Sequence, residues 1–278
     1  MTYTALMRHI PLAFLSLLSF AAPCVAQTGN EKLPQEFAAM RSALCDKPAD
    51  FVETGCRVCP KFMTRDSERP AQGGLGVYSI LFGSFTSVGQ TEALLRSNGC
   101  LSHVSHAEGG FASAFLLRKE EGSWRRISFL HGDGPMGICQ KIPGQGERRD
   151  LLICTYEDYG AGAIYVMGFD ADGKVQKQTG LVQTWIAPGW RSVEKQKHCS
   201  SLGADLKKVS LNSIEISVFF SSFDVDPPIN CFDESDTTTS KISNSKKIQD
   251  TAVFTRSDDD FVPDEKTKQL LSEIKSSR

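Results

Sequence analysis

Cysteine constrains this chain more than any other residue type. Nine are present. Cys24 falls inside an apolar leader, and Cys45, Cys56, Cys59, Cys100, Cys139, Cys154, Cys199 and Cys231 follow it. An even number of cysteines in an exported chain implies a disulfide framework. The leader supplies the export signal. One cation, Arg8, precedes the apolar run Leu12 to Ala22, and small residues follow up to Ala26. That is the layout of a secretory signal peptide. The run is shorter than the roughly 20 residues that span a bilayer, and no later run is longer. We therefore expect residues 1–26 to be removed, a periplasmic or secreted location, and no transmembrane segment afterwards.

Eight cysteines allow 105 pairings, so most of the connectivity stays open. Cys139 and Cys154 flank KIPGQGERRD, a turn-rich loop between two apolar segments, and a bridge there is the natural pair. Cys199 with Cys231 is the default for the last two. The trio Cys45, Cys56 and Cys59 is expected to pair locally, with one member reaching Cys100.

Without Arg8 the chain keeps 30 cations against 33 acids, a net charge of −3. Nothing in it is basic enough to track a phosphate backbone, so nucleic acid is not an expected partner. The roughly 250 residues that remain suffice for one sizeable core or two small ones.

Four segments follow from the pattern. After the signal peptide, residues 27–73 combine a helix, on which Phe37, Met40 and Leu44 share one face, with a loop rich in Pro, Gly and Cys. Residues 74–262 read as a β domain. Short runs such as LGVYSILFGSF, TEALLRS, FASAFLLRK, SWRRISFLH, RDLLICTYE and AIYVMGFD are bounded by turn formers. EEGSW and DADGKV have the chemistry of tight hairpins. The polar stretch FDESDTTTSKISNSKK is expected to be a mobile loop. Residues 263–278 form a terminal helix that turns Leu270, Leu271 and Ile274 inward. The fold class is thus mainly β, in antiparallel meanders, either propeller-like or a β-sandwich, with short helices at both ends.

An internal echo runs through the middle. EALLRS at 92 matches DLLICT at 150, and SAFLLRKEEGSW at 113 matches AIYVMGFDADGKV at 163. Each unit runs acidic residue, apolar strand, loop, apolar strand, Gly turn, strand. Two imperfect blades of a propeller or two successive meanders would both read this way. The strings GSFT, EALL, GC, GG with FLLR, GSW and RDLLIC resemble a group of exported bacterial proteins whose middle segments are similar to FG-GAP-type propeller repeats. The likeness covers about residues 74 to 180. It implies a β fold and export, and no activity. The calcium loop of such repeats is not matched, since Asp170 and Asp172 are two ligands where an oxygen cage needs six or more.

Several motifs could carry chemistry. Cys100, His103 and His106 offer thiolate and imidazole ligands in the number a catalytic zinc uses. However, the glycines around them argue for a loop, and an oxidised Cys100 would be no ligand. Cys56 and Cys59 make a C-x-x-C without the βαβ setting of a redox pair. Adjacent acids (Glu157 with Asp158, and Asp258 to Asp260) point to opposite faces of a strand. Trp185 and Trp190 flank IAPG and could stack against a sugar. Trp124 reads as packing. Ser, His and Asp occur, but no spacing joins them into a triad. The favoured reading is a non-enzymatic, disulfide-stabilised binding or envelope-associated protein without a cofactor, whose partner is a protein or a carbohydrate. A metal-dependent hydrolase built on Cys100, His103 and His106 is the alternative.

Overall fold

The computed structural model describes residues 35–63, 73–100, 113–130, 139–158, 161–187, 195–231 and 240–277. A smaller sheet holds β1 (Phe51–Val52), β2 (Gly55–Cys56), β3 (Leu75–Gly83), β4 (Glu92–Gly99), β5 (Ser113–Glu120) and β6 (Ser123–Leu130). A larger sheet holds β7 (Cys139–Ile142), β8 (Leu151–Asp158), β9 (Ala161–Phe169), β10 (Val175–Ala187), β11 (Gln196–Val209), β12 (Ser213–Ile229), β13 (Lys241–Ser257) and β14 (Asp260–Pro263). Within each sheet every strand pairs antiparallel with its neighbour in sequence. Turn chemistry dictates much of this. Glu121 and Gly122 both take positive φ, 51° and 81°, as the two-residue hairpin between β5 and β6 requires.

Apolar side chains sort into layers. Alternate residues of β4 and β5 point to opposite faces. Ala93, Leu95, Phe115 and Leu117 face the N-terminal segment, where Phe37, Met40 and Leu44 cover them. Leu94, Ala114 and Leu116 face the larger sheet and meet Leu152, Cys154, Tyr165 and Met167 of β8 and β9. The far side of the larger sheet buries Ile153, Ile164, Val166, Ile216, Val218 and Phe254 against Leu270 and Ile274 of a C-terminal helix. Strands with both faces covered read as continuous apolar runs, which is why EALL and AFLL show no alternation.

The N-terminal helix expected around Phe37, Met40 and Leu44 is a 3₁₀ turn, Gln35–Met40, continued by α1 (Arg41–Leu44). The terminal helix α2 spans Glu265–Ser276. The Asp264 side chain accepts from Thr267 N at its start, a favourable N-cap.

The larger sheet is a half-barrel and does not close. Its curl is visible in Arg256 of β13, which donates from Nη1 to Pro143 O at 3.3 Å, just beyond β7 on the opposite side of the sheet. The same guanidinium reaches Asp258 O and Leu211 O, and Arg256 N donates to Asn212 O. One buried cation thus gathers three turns at one end. Burial lowers its pKa, and the nearby Arg148 adds to that.

Two expectations change, and one that was open is decided. Strand pairing gives two continuous meanders of six and eight strands, not a ring of four-stranded blades, so a propeller is not shown. The echo at 92 and 150 corresponds to meanders β4–β6 and β8–β10, which face each other across the inter-sheet core. The polar stretch expected as a loop belongs partly to β13. Residues 241–243 and 246–247 pair with β12 on either side of a register shift; a strand exposed on both faces shows no apolar period. Residues 232–239 lie outside the described residues.

Four disulfides join Cys45 to Cys56, Cys59 to Cys100, Cys139 to Cys154 and Cys199 to Cys231. Cys139 and Cys154 stand directly opposite in the β7–β8 register. The two cysteines of C-x-x-C go to different partners.

Candidate binding site at the far end of the half-barrel

Two carboxylates at equivalent places in the echoed units turn out to be structural. Glu92 is fully buried and accepts from Phe85 N, Thr86 N, Thr86 Oγ1 and Arg118 Nε at 2.7, 2.8, 2.5 and 3.0 Å. Asp150 accepts from Ser84 N at 2.9 Å and Gly144 N at 2.6 Å. Both hold the loop 84–86, one from each sheet. Arg118 extends the clamp across the gap by donating to Ala171 O at 3.2 Å.

The residues singled out in the sequence do not converge. Cys100 is spent on its bridge to Cys59 and is no thiolate. His103, His106 and Trp190 lie outside the described residues, as do the side chains of Glu157 and Asp158. Asp170 accepts from Asp172 N and Lys174 N, and so caps its own turn. Asp259 pairs with Arg149 at 3.4 Å, while Asp260 accepts from Phe261 N. Trp124 is buried beside Phe82. A shallow groove of about 310 Å³ lies by Ser42, Asp46, Trp124 and Arg126. Arg126 sits 3.2 Å from the centroid of Phe62 and donates to Ala43 O, and burial lowers its pKa; it serves packing. Between the sheets, burial likewise raises the phenol pKa of Tyr78 and of Tyr165. Among the described residues no group of three or more His, Cys, Asp or Glu side chains is placed to hold a metal ion.

Strand register assembles a different set. Directly opposed residues in antiparallel strands share a face. Trp185, Leu202, Phe220 and Ile248 form one row across β10 to β13, on the face packed with α2. Two residues further along, Ser200, Ser222 and Lys246 form a second row. Lys246 is committed to α2, at 2.9 Å from Glu273 Oε1 and 2.8 Å from Ser277 Oγ. A third row pairs His198 with Asp224, beside a register shift that brings in Asn244. His198 Nδ1 lies 2.7 Å from Asp224 Oδ1, and Asn244 Nδ2 donates to Asp224 Oδ2 at 2.8 Å. These two hydrogen bonds, His198 first, hold the Asp224 carboxyl below the usual carboxylate range.

The face therefore grades from apolar core to polar rim over three rows. Side chains of His198 and Asp224 are 42% and 40% exposed. Ser200 beneath them is 3% exposed, and its buried Oγ has no hydrogen-bond partner. Sequence reasoning missed the His198–Asp224–Asn244 row because these residues lie 20 or more positions apart and no motif joins them; only the β11–β12–β13 register does. Trp185, half-buried at the edge of the first row, is the one residue that both routes select.

No protein-family model matches this chain, and no curated protein matches it.

Proposed function

We propose that this chain is an exported, disulfide-braced binding protein that works in the periplasm or outside the cell without catalysing a reaction. The observation that carries this reading is the use of sulfur. All eight cysteines after the leader are paired, in loops whose ends are 11, 41, 15 and 32 residues apart. Such bracing persists only in an oxidising compartment. Among the described residues no helix is long and apolar enough to cross a membrane. The binding face is the far end of the half-barrel, where polar side chains are exposed and ordered by the sheet beneath them. Export is also what the likeness to FG-GAP-type exported proteins implies. The metal-dependent alternative loses its thiolate to the Cys59–Cys100 bridge.

Thiol counting on denatured protein recovered from its native compartment tests the reading, together with sequencing of its N-terminus. No free thiol and a chain that begins after residue 26 are the expected results. Eight reactive thiols with the leader intact would overturn it.

A further inference from the structure

The rows at the far end of the larger sheet carry unspent hydrogen-bonding capacity of one kind. With Asp224 ionised, Nδ1–H of His198 donates to it, which leaves Nε2 as the ring's second hydrogen-bonding function. Asn244 has used one amide hydrogen on Asp224 and keeps its carbonyl oxygen. Ser200 Oγ can both donate and accept, and it is buried with neither function used. A buried polar group without a partner is costly. The hydroxyl stands on the same face as His198, one row inward.

From this set we infer that the His198–Asp224–Asn244 row, with Ser200 below it, binds a neutral polyhydroxylated ligand of the saccharide class. The proposal rests on the binding-protein reading above. Ligand hydroxyls, each donor and acceptor at once, match an array of mixed acceptors and donors. An anion does not fit, because Asp224 holds the centre of the site and Lys246 is already paired with Glu273. A divalent cation does not fit either, since His198 Nδ1 and Asp224 Oδ1 face each other at 2.7 Å and share no common point in front of them. The three rows span about 13 Å at the usual strand rise. Only the outermost row is exposed, so the ligand is one or two sugar rings laid along the rim, with Ser200 as the deepest contact.

The test uses the oxidised, exported protein and three neutral probes: maltotriose, cellotriose and N,N′-diacetylchitobiose. Histidine-ring NMR signals are followed as each probe is raised to about 10 mM, a range that detects even weak binding. A saturable shift of the His198 signals with at least one probe is expected. Asp224→Ala and Ser200→Ala should each weaken it about ten-fold, the value of one good hydrogen bond to a charged or buried group. Ser200→Ala should do so without lowering the thermal midpoint, which a merely structural serine would not allow. Lys197→Ala, on the opposite face of β11, should leave the shift unchanged. No response to any probe, or a response that survives Asp224→Ala, overturns the inference while leaving compartment and thiol count untouched. Release of new reducing ends during the titration would uphold the site and overturn the non-catalytic reading.

Discussion

Glu92 and Asp224 are both carboxylates held by neighbouring side chains, yet they mark opposite uses of the same chemistry. Glu92 sits between two sheets with no exposure, and four donors exhaust its oxygens. Asp224 stands at a sheet end with 40% of its side chain exposed and one donor on each oxygen. The first is a joint, because every hydrogen bond it makes is internal and desolvated. The second is a presentation device, because it orients an imidazole and an amide that keep free functions toward solvent. Local charge pairing alone would not separate them; burial and unused hydrogen-bonding capacity do.

The comparison breaks most easily at Glu92. Replacing it by alanine strands Arg118 and the loop N–H groups, and it should destabilise the protein by about 3–5 kcal/mol in denaturant unfolding. A loss under 1 kcal/mol would mean that the joint carries little. Next in size, the double variant Cys139→Ala, Cys154→Ala frees a loop whose ends are 15 residues apart and should cost about 3 kcal/mol. The midpoint of unfolding reads this directly, with intact β7–β8 pairing checked by hydrogen exchange. Asp150→Ala removes the acceptor of Ser84 N and Gly144 N and the partner of the half-exposed Lys141 and should cost about 1–3 kcal/mol, clearly less than Glu92→Ala. Asp224→Ala closes the series. It should lower the unfolding midpoint at neutral pH only slightly, because the His198–Asp224 pair is solvent-exposed, while the His198 ring signals move.

Acid titration sharpens the same contrast. Hydrogen bonds from His198, Lys266 and Thr267 hold Asp224, Asp250 and Asp264 respectively below the ordinary aspartate value. A depressed carboxyl contributes stability that is present above its unfolded pKa, near 3.9, and is lost as pH falls through the lower folded value. Stability should therefore decline below about pH 4, and the slope should flatten in an Asp250→Asn, Asp264→Asn variant. A decline that starts well above that range would point to a different titrating group.

Most of the strands were legible in the sequence, because Gly- and Asp-bearing turns such as EEGSW and DADGKV fix hairpins locally. The 139–154 bridge was legible for the same reason, since the loop it closes is short and turn-rich. β7 was missed because four residues, Cys139–Ile142, give no period to read. The start of β13 was missed because Lys241 to Lys247 are largely exposed on both faces, so no alternation marked them. His198, Asp224 and Asn244 were invisible for a stronger reason: their proximity is a property of register, and register depends on which strand lies beside which.

What the sequence determined by itself is the material: strands, turns and an even set of crosslinking sulfurs. Each of these follows from residue type or short-range spacing. Only the tertiary structure decided that two echoed meanders face each other, that the larger sheet curls into a half-barrel around α2, and that three distant polar residues share one rim. Those outcomes depend on which apolar faces find each other across long stretches of chain. Side-chain period within a strand carries no information about its neighbour.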